Sequence, residues 1–389
     1  MSISITQTPA TASLAQSPII FTISESNPLV FTSSSFQYVG ELYYWTGSVL
    51  DSGSLSDYTI SKFPNTNNVG IFDLNRIINS TLTDLLQTNS SNVVFFAVDF
   101  YSQYYSGSSY VTGSHVKSNL YKALDGYGIF PETIGTQLQN TTPYFPLLTD
   151  GPVTQSAFID NKGTSGIWAN PYNGTTAVNK IVYNSNLGST YITPSGNTST
   201  SGQIYQYPIG PAESGFPLST VGLQWYTIQA YQDSTPLGAA IRYEIECIQK
   251  YPNVRIKWKN RFGQFDYFNF YMVSRNSFET TKRTYQPQLG TWESSTFGYN
   301  SYDSANLNYI NDSNQGISVN SFYVPQDYND IFKQLLVSDE IYWVYDETNN
   351  YVRPVTIQTS NVTFKTSVVD KLIQYQFDFK YGQPYKLIM

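Results

Sequence analysis

Val254, Ile256 and Trp258 alternate with Arg255, Lys257 and Lys259. Side chains of an extended chain point to opposite faces with a period of two, so this order specifies a strand with one apolar face. The three apolar residues are expected in a core, and the three cations are expected to face solvent or a neighbouring subunit. A register slip of one residue would invert the whole set. Asn260-Arg261-Phe262-Gly263 then reads as a turn into another strand over 264–273.

The rest of the chain supports sheet as the dominant structure. Aromatic residues make up 16% of it, with 34 Tyr and 23 Phe, while charged residues make up only 13%. Aromatic and β-branched side chains suit a pleated surface, and long surface helices need more Glu, Lys, Arg and Ala than this. Strands are expected around 19–24, 36–45, 92–101, 180–183, 203–207, 223–230, 241–249, 339–346, 351–359 and 371–381. Two segments carry a helical stripe instead. After Asp73, a plausible N-cap, Leu74, Ile77, Ile78, Leu82, Leu85 and Leu86 fall on one face. Tyr328, Ile331, Phe332, Leu335 and Leu336 do the same later.

A chain of 389 residues has room for about two or three domains. The expected fold is mainly β, with two β-sandwich-like domains, each with one short packed helix and long loops rich in Asn, Ser, Thr and Gly. Residues 1–16 are polar and read as an extended arm that would add a strand to a foreign sheet edge. An N-terminal β domain over 17–125 holds the helix 73–88, and 126–142 is a linker. A C-terminal β domain over 143–389 begins loop-rich and holds the helix 328–337. Within it, 197–202 is the lowest-complexity stretch and is expected to be a loop.

Little in the sequence points to catalysis. His115 is the only imidazole and lies in a polar, loop-like setting without a surrounding motif. Cys247 is the only cysteine, so an internal disulfide is impossible, and it reads as a small sheet residue. Glu244 and Glu246 share a strand face, the minimum a glycosidase would require, but they are also simply the polar positions of an alternating strand. Asp160-Asn161-Lys162-Gly163 faintly resembles a calcium loop that Lys162 spoils. No phosphate loop or dinucleotide fingerprint occurs. The expectation is therefore a non-enzyme without catalytic, cofactor-binding or metal-binding residues.

Charge and hydropathy narrow the partners. The net charge of −7 argues against a dedicated duplex-DNA binder. Residues 250–283 nevertheless hold eight of the 21 bases and only two of the 28 acids, interleaved with Trp258, Phe262, Phe265, Tyr267 and Phe268. This superficially resembles a single-strand nucleic-acid platform, but strand alternation explains it more simply as a solvated or subunit-contacting face. Residues 1–20 contain no Lys or Arg, which predicts no signal peptide, and no apolar run approaches the ~20 residues of a membrane helix.

Three segments resemble ones that recur together in structural tail proteins of crAss-like and related Bacteroidetes-infecting tailed bacteriophages. The first is Ser17-Pro18-Ile19-Ile20-Phe21 with Phe36-Gln37-Tyr38-Val39, followed by Phe63-Pro64-Asn65 and Gly70-Ile71-Phe72-Asp73-Leu74-Asn75-Arg76-Ile77. The second is Trp258-Lys259-Asn260-Arg261-Phe262-Gly263-Gln264-Phe265-Asp266-Tyr267-Phe268, with Arg283-Thr284-Tyr285 after it. The third is Leu335-Leu336-Val337-Ser338-Asp339-Glu340-Ile341-Tyr342. These are turn glycines, core aromatics and strand starts, so the resemblance implies a virion role without an active site. It implies a ring or connector component of the tail, assembled in the bacterial host cytoplasm as a homo-oligomer on the order of six or twelve copies. Its other partners would be further tail and connector proteins, with genomic DNA only as passing cargo and no membrane segment. The alternatives from the residues are a receptor- or carbohydrate-binding tail module and a tail-associated polysaccharide hydrolase.

Overall fold

A computed structural model describes residues 3–383 except 11, 34, 46–55, 87–92, 129–146, 148, 150, 169–177, 195–203, 248–249, 291–294, 297, 350 and 367–372. The fold is mainly β, with 23 strands and three helices among the described residues. The chain opens with β1 (Ile3–Gln7), β2 (Ala12–Leu14), β3 (Ile20–Glu25), α1 (Pro28–Phe31), β4 (Gln37–Trp45), β5 (Tyr58–Lys62) and β6 (Val69–Asp73). It continues through α2 (Asn75–Leu86), β7 (Val94–Ser106), β8 (Ser109–Lys117), β9 (Tyr121–Leu124), β10 (Thr154–Ala157), β11 (Thr164–Trp168) and β12 (Lys180–Ser185). Next come β13 (Gly188–Ile192), β14 (Ile204–Pro208), β15 (Trp225–Gln232), β16 (Thr235–Ile245), β17 (Val254–Lys259) and β18 (Phe265–Phe270). The last elements are β19 (Arg275–Tyr285), β20 (Leu307–Asn320), α3 (Tyr328–Val337), β21 (Ile341–Asp346), β22 (Tyr351–Ile357) and β23 (Gln376–Tyr381).

These elements form two compact units. One comprises Met1–Cys247 with Lys259–Asp266, the other Ile248–Trp258 with Tyr267–Met389. This division differs from the expected domains 17–125 and 143–389, because β10 to β16 belong to the first unit. The expected linker 126–142 lies outside the described residues beyond its first three positions, and the expected loop 197–202 lies wholly outside them.

In the first unit a sheet ordered β1-β3-β6 packs against a larger one ordered β2-β9-β7-β4-β5, with β8 also paired to β7. Phe21 and Phe72 meet Phe100 across this sandwich at ring separations of 5.4 and 5.1 Å. The apolar stripe of α2 joins the same core, with Leu74, Ile78 and Leu82 buried. The helix begins later than the expected 73, because Asp73 still pairs with Ile20 as the last residue of β6. Its carboxylate accepts hydrogen bonds from the backbone N–H groups of Ile19 and Asn75, both at 3.1 Å. Residues 87–88 lie outside the described residues.

The expected arm is corrected by the structure, since residues 3–10 and 12–16 are built into their own chain. Ile3 pairs with Glu25 and Ile5 with Ile23, antiparallel, while Ala12 to Leu14 run parallel to Lys122 to Leu124. Ile3, Ala12, Leu14 and Ala15 are buried. The alternation that suited a foreign sheet edge suits the chain's own β3 equally well, and burying these groups offsets the backbone entropy of ordering them.

A third sheet of the first unit, ordered β10-β16-β15-β12-β13, is held by tyrosines. The Tyr183 hydroxyl donates to the Pro208 carbonyl at 2.8 Å, and Tyr226 stacks on Tyr243 at 4.8 Å. Burial pushes the Tyr183, Tyr207 and Tyr243 hydroxyls well above the usual phenol range. The turn after β17 also belongs here. Gly263 has φ +73°, and a Cβ on it would lie 2.3 Å from the Asp125 carbonyl oxygen, so both conformation and space require glycine.

The second unit is a seven-stranded sheet ordered β18-β17-β21-β22-β23-β20-β19. The apolar face of α3 packs on it, with the Phe332 ring 5.0 Å from Phe268 and 5.1 Å from Phe377. The alternation in β17 holds on its core side, where Val254, Ile256 and Trp258 are buried. The opposite side differs from expectation. Arg255 is 4% exposed, its guanidinium 3.0 and 3.1 Å from the Glu347 carboxylate oxygens and 4.4 Å from the Tyr267 ring centre. A carboxylate whose two oxygens both accept from Nη1, together with an aromatic face, compensates the desolvation of a delocalised cation, which allows the arginine to leave water.

Candidate interaction surface

The residues singled out for chemistry stay apart from one another. His115 lies on β8 instead of in a loop, with Nδ1 3.3 Å from Asp99 Oδ2 and its ring 4.6 Å from that of Tyr101. Its register opposite Tyr101 accounts for the ring contact. Cys247 is exposed just past the end of β16. Glu244 is ion-paired to Arg242, and Glu246 follows the last residue of the strand. The side chain of Asn161 accepts the Phe158 N–H at 3.0 Å, and the Gly163 N–H donates to the Glu213 carboxylate at 2.8 Å, so the stretch from Asp160 to Gly163 is tied to its protein neighbours. Among the described residues no group of three or more His, Cys, Asp or Glu side chains comes together to hold a metal ion.

Apart from Lys250, which lies over the Tyr251 ring, the bases of 250–283 divide into two classes. Arg255 is bound to Glu347, Lys259 is ion-paired to Asp125, and Arg261 is buried. Lys257 is half-buried over the Tyr342 ring, and burial, with Arg255 nearby, pushes its pKa down. The single-strand platform is therefore not formed along β17, because its cations serve the fold. Arg275, Lys282 and Arg283 differ. They stand on β19, where all eleven residues are exposed, and no ion pair engages them among the described residues.

β19 and β20 form one antiparallel ribbon, paired from Arg275–Ser318 to Tyr285–Leu307. At its base β20 is also paired to β23, but only over Gly316–Asn320. From Ser277 and Gln315 outward the two strands have no other partner among the described residues, so each carries an open edge. At ~3.3 Å per residue this free part extends about 30 Å. Its faces are solvent-facing along much of their length. Phe278 is 53% exposed and Tyr309 57%, and Tyr285 packs edge-on to Tyr309 at 6.2 Å. At the tip, Leu289, Tyr299, Tyr302, Asp303 and Leu307 border an open concavity of about 610 Å³. Tyr299 and Tyr302 are 68% and 82% exposed.

An isolated two-stranded ribbon is marginal in water. An exposed edge strand is also a template for pairing with another chain, which soluble proteins normally blunt. A long ribbon with exposed aromatic rings, whose edges and cations have no partner among the described residues, has the chemistry of a contact surface, in which main-chain groups supply affinity and side chains supply selectivity. The sequence reading missed it because β19 and the outer half of β20 have no buried face, and hence no alternation of apolar and polar residues. The remaining signal was their β-branched and aromatic content, Thr280, Thr281, Thr284, Tyr285, Tyr309 and Ile310. In comparisons with known proteins, no family model and no curated protein matches the chain.

Proposed function

We propose that this chain is a non-enzymatic structural protein of a bacteriophage tail, part of the ring or connector assembly around the DNA channel. The observation that carries an assembly role is the free part of the β19–β20 ribbon, which exposes backbone edges and aromatic rings that only a neighbour would cover. The phage assignment draws on the resemblance of the three segments, which fall on β3, β4, β6 and α2, on the β17–β18 turn, and on the passage from α3 to β21. In this reading the chain contacts copies of itself and other tail proteins, is assembled in the host cytoplasm, and meets genomic DNA only as it passes. Cryo-electron microscopy of purified particles tests it. The expected result is density for this chain in a closed ring on the tail axis. Particles whose proteome lacks the chain would overturn the reading.

A second reading, a receptor- or carbohydrate-binding tail module, is favoured by one observation, the exposed Tyr299 and Tyr302 rings beside the polar groups of the ribbon tip. Aromatic faces with amide and carboxylate neighbours suit sugar rings. Glycan-array binding that is lost on Tyr302→Ala would support this reading over the first.

A further inference from the structure

We infer that the turn between β17 and β18 is a conformational fastener, through which the folded second unit holds closed a core of the first. This coupling is independent of the tail reading and of whatever covers the ribbon.

Residues Lys259–Asp266 belong to the first unit, while Ile248–Trp258 before them and the chain from Tyr267 onward belong to the second. The first unit is thus completed by eight residues supplied from outside 1–247. Phe262 at this turn is fully buried with Ala12, Leu14, Val93, Leu124 and Ile204. Among the described residues of that core it is the one from beyond residue 247. Ala12, Leu14 and Leu124 stand on β2 and β9 of the larger sandwich sheet, whereas Ile204 opens β14, which pairs with β11 in a separate two-stranded sheet. The Phe262 ring therefore lies among groups drawn from two sheets.

The first unit is shaped to receive this turn. The Arg261 carbonyl accepts the Tyr127 N–H at 2.9 Å, and a Cβ on Gly126 would stand 2.2 Å from the same oxygen. Toward β14, the Gln206 amide donates to Gln264 Oε1 at 2.8 Å, and Gly166 on β11 leaves the space that the Gln264 side chain fills. Lys259 is ion-paired to Asp125, and Asp266 accepts the Thr149 hydroxyl at 2.7 Å. All of these partners lie within 1–247.

The turn is shaped in part by itself, since the Asn260 carboxamide oxygen accepts the N–H groups of Phe262 and Gln264, both at 3.0 Å. Its ends are brought together by the pairing of β17 with β18. That pairing is held in turn by β21 and by the burial of Val254, Ile256 and Trp258 in the core of the second unit. When the second unit unfolds, the ends of the turn are released. Keeping the turn in the first unit then carries the full entropic cost of ordering a free segment. Loss of the second unit therefore loosens the core around Phe262, and the coupling acts equally in the other direction.

The test is native-state hydrogen exchange on the full-length chain in a double-mutant cycle of Ile256→Ala and Phe262→Ala. Ile256 is buried in the core of the second unit, so its truncation reaches the first unit only through coupling. Ile256→Ala is expected to speed exchange at the amides of β2, β9 and β14 by about tenfold or more. In the Phe262→Ala background those amides exchange faster already, and Ile256→Ala should add less than about twofold. If circular dichroism shows that Phe262→Ala does not fold, Gln264→Ala, which removes the bond to Gln206, takes its place with the same expected loss of coupling. First-unit amides that do not respond to Ile256→Ala would overturn the inference. A response of equal size with and without the turn substitution would also overturn it, because the coupling would then run by another route.

Discussion

Lys122 is 1% exposed on β9, with Nζ 5.4 Å from the centre of the Phe95 ring. Burial lowers its pKa from 10.5 to about 8. Between those values the unfolded chain binds more protons at this site than the folded chain, so the site's contribution to stability rises with pH across the window. Below about 8 both states are protonated, and the cost of the buried cation is constant. Urea unfolding of the wild type should therefore show a gain from pH ~7 to ~9.5 that Lys122→Met lacks, with the variant the more stable at pH ~7. An equal pH response in both proteins would contradict this. Above pH ~10 the buried tyrosines act in the opposite sense, because their raised pKa values keep them protonated in the fold while the unfolded chain ionises. At this scale the sequence was legible where one periodicity decides the side of a strand, as for Trp258. It was not legible for Arg255 or Lys122, whose burial depends on Glu347 and Phe95, far away along the chain.

At the scale of elements, α3 occupies the bounds its apolar spacing required, and α2 differs by a shift at its start. Helical stripes are local, so they survive translation from sequence to structure. Partner choice is not local, and β1 shows it. The alternation of Ile3 and Ile5 identifies a strand without saying whose sheet it joins, and β3 of the same chain is the answer. Deleting residues 1–16 should therefore destabilise the first unit by about 3 kcal/mol or more, since it removes the buried Ile3, Ala12, Leu14 and Ala15 together. Denaturant unfolding followed by aromatic fluorescence measures this. An unchanged midpoint would restore the detachable-arm reading. The ribbon marks the opposite limit, because strands without a buried face carry no pattern to read.

For the whole molecule, mainly-β architecture followed from composition, since an aromatic-rich, charge-poor chain has few other ways to bury its surface. Composition does not locate the boundary between compact units, because the chain enters and leaves the first unit twice. It also says nothing of the β19–β20 ribbon, in which all eleven residues of β19 are exposed. The central claim is that this ribbon is covered in the working assembly. Hydrogen exchange tests it most directly, comparing amides of the dilute chain with those of the same chain in purified particles. The account predicts that amides over 277–285 and 307–315 exchange rapidly in the dilute chain and slow by about a hundredfold or more in particles, while those of β7 and β15 are unchanged. Ribbon amides that exchange equally fast in both states would contradict it.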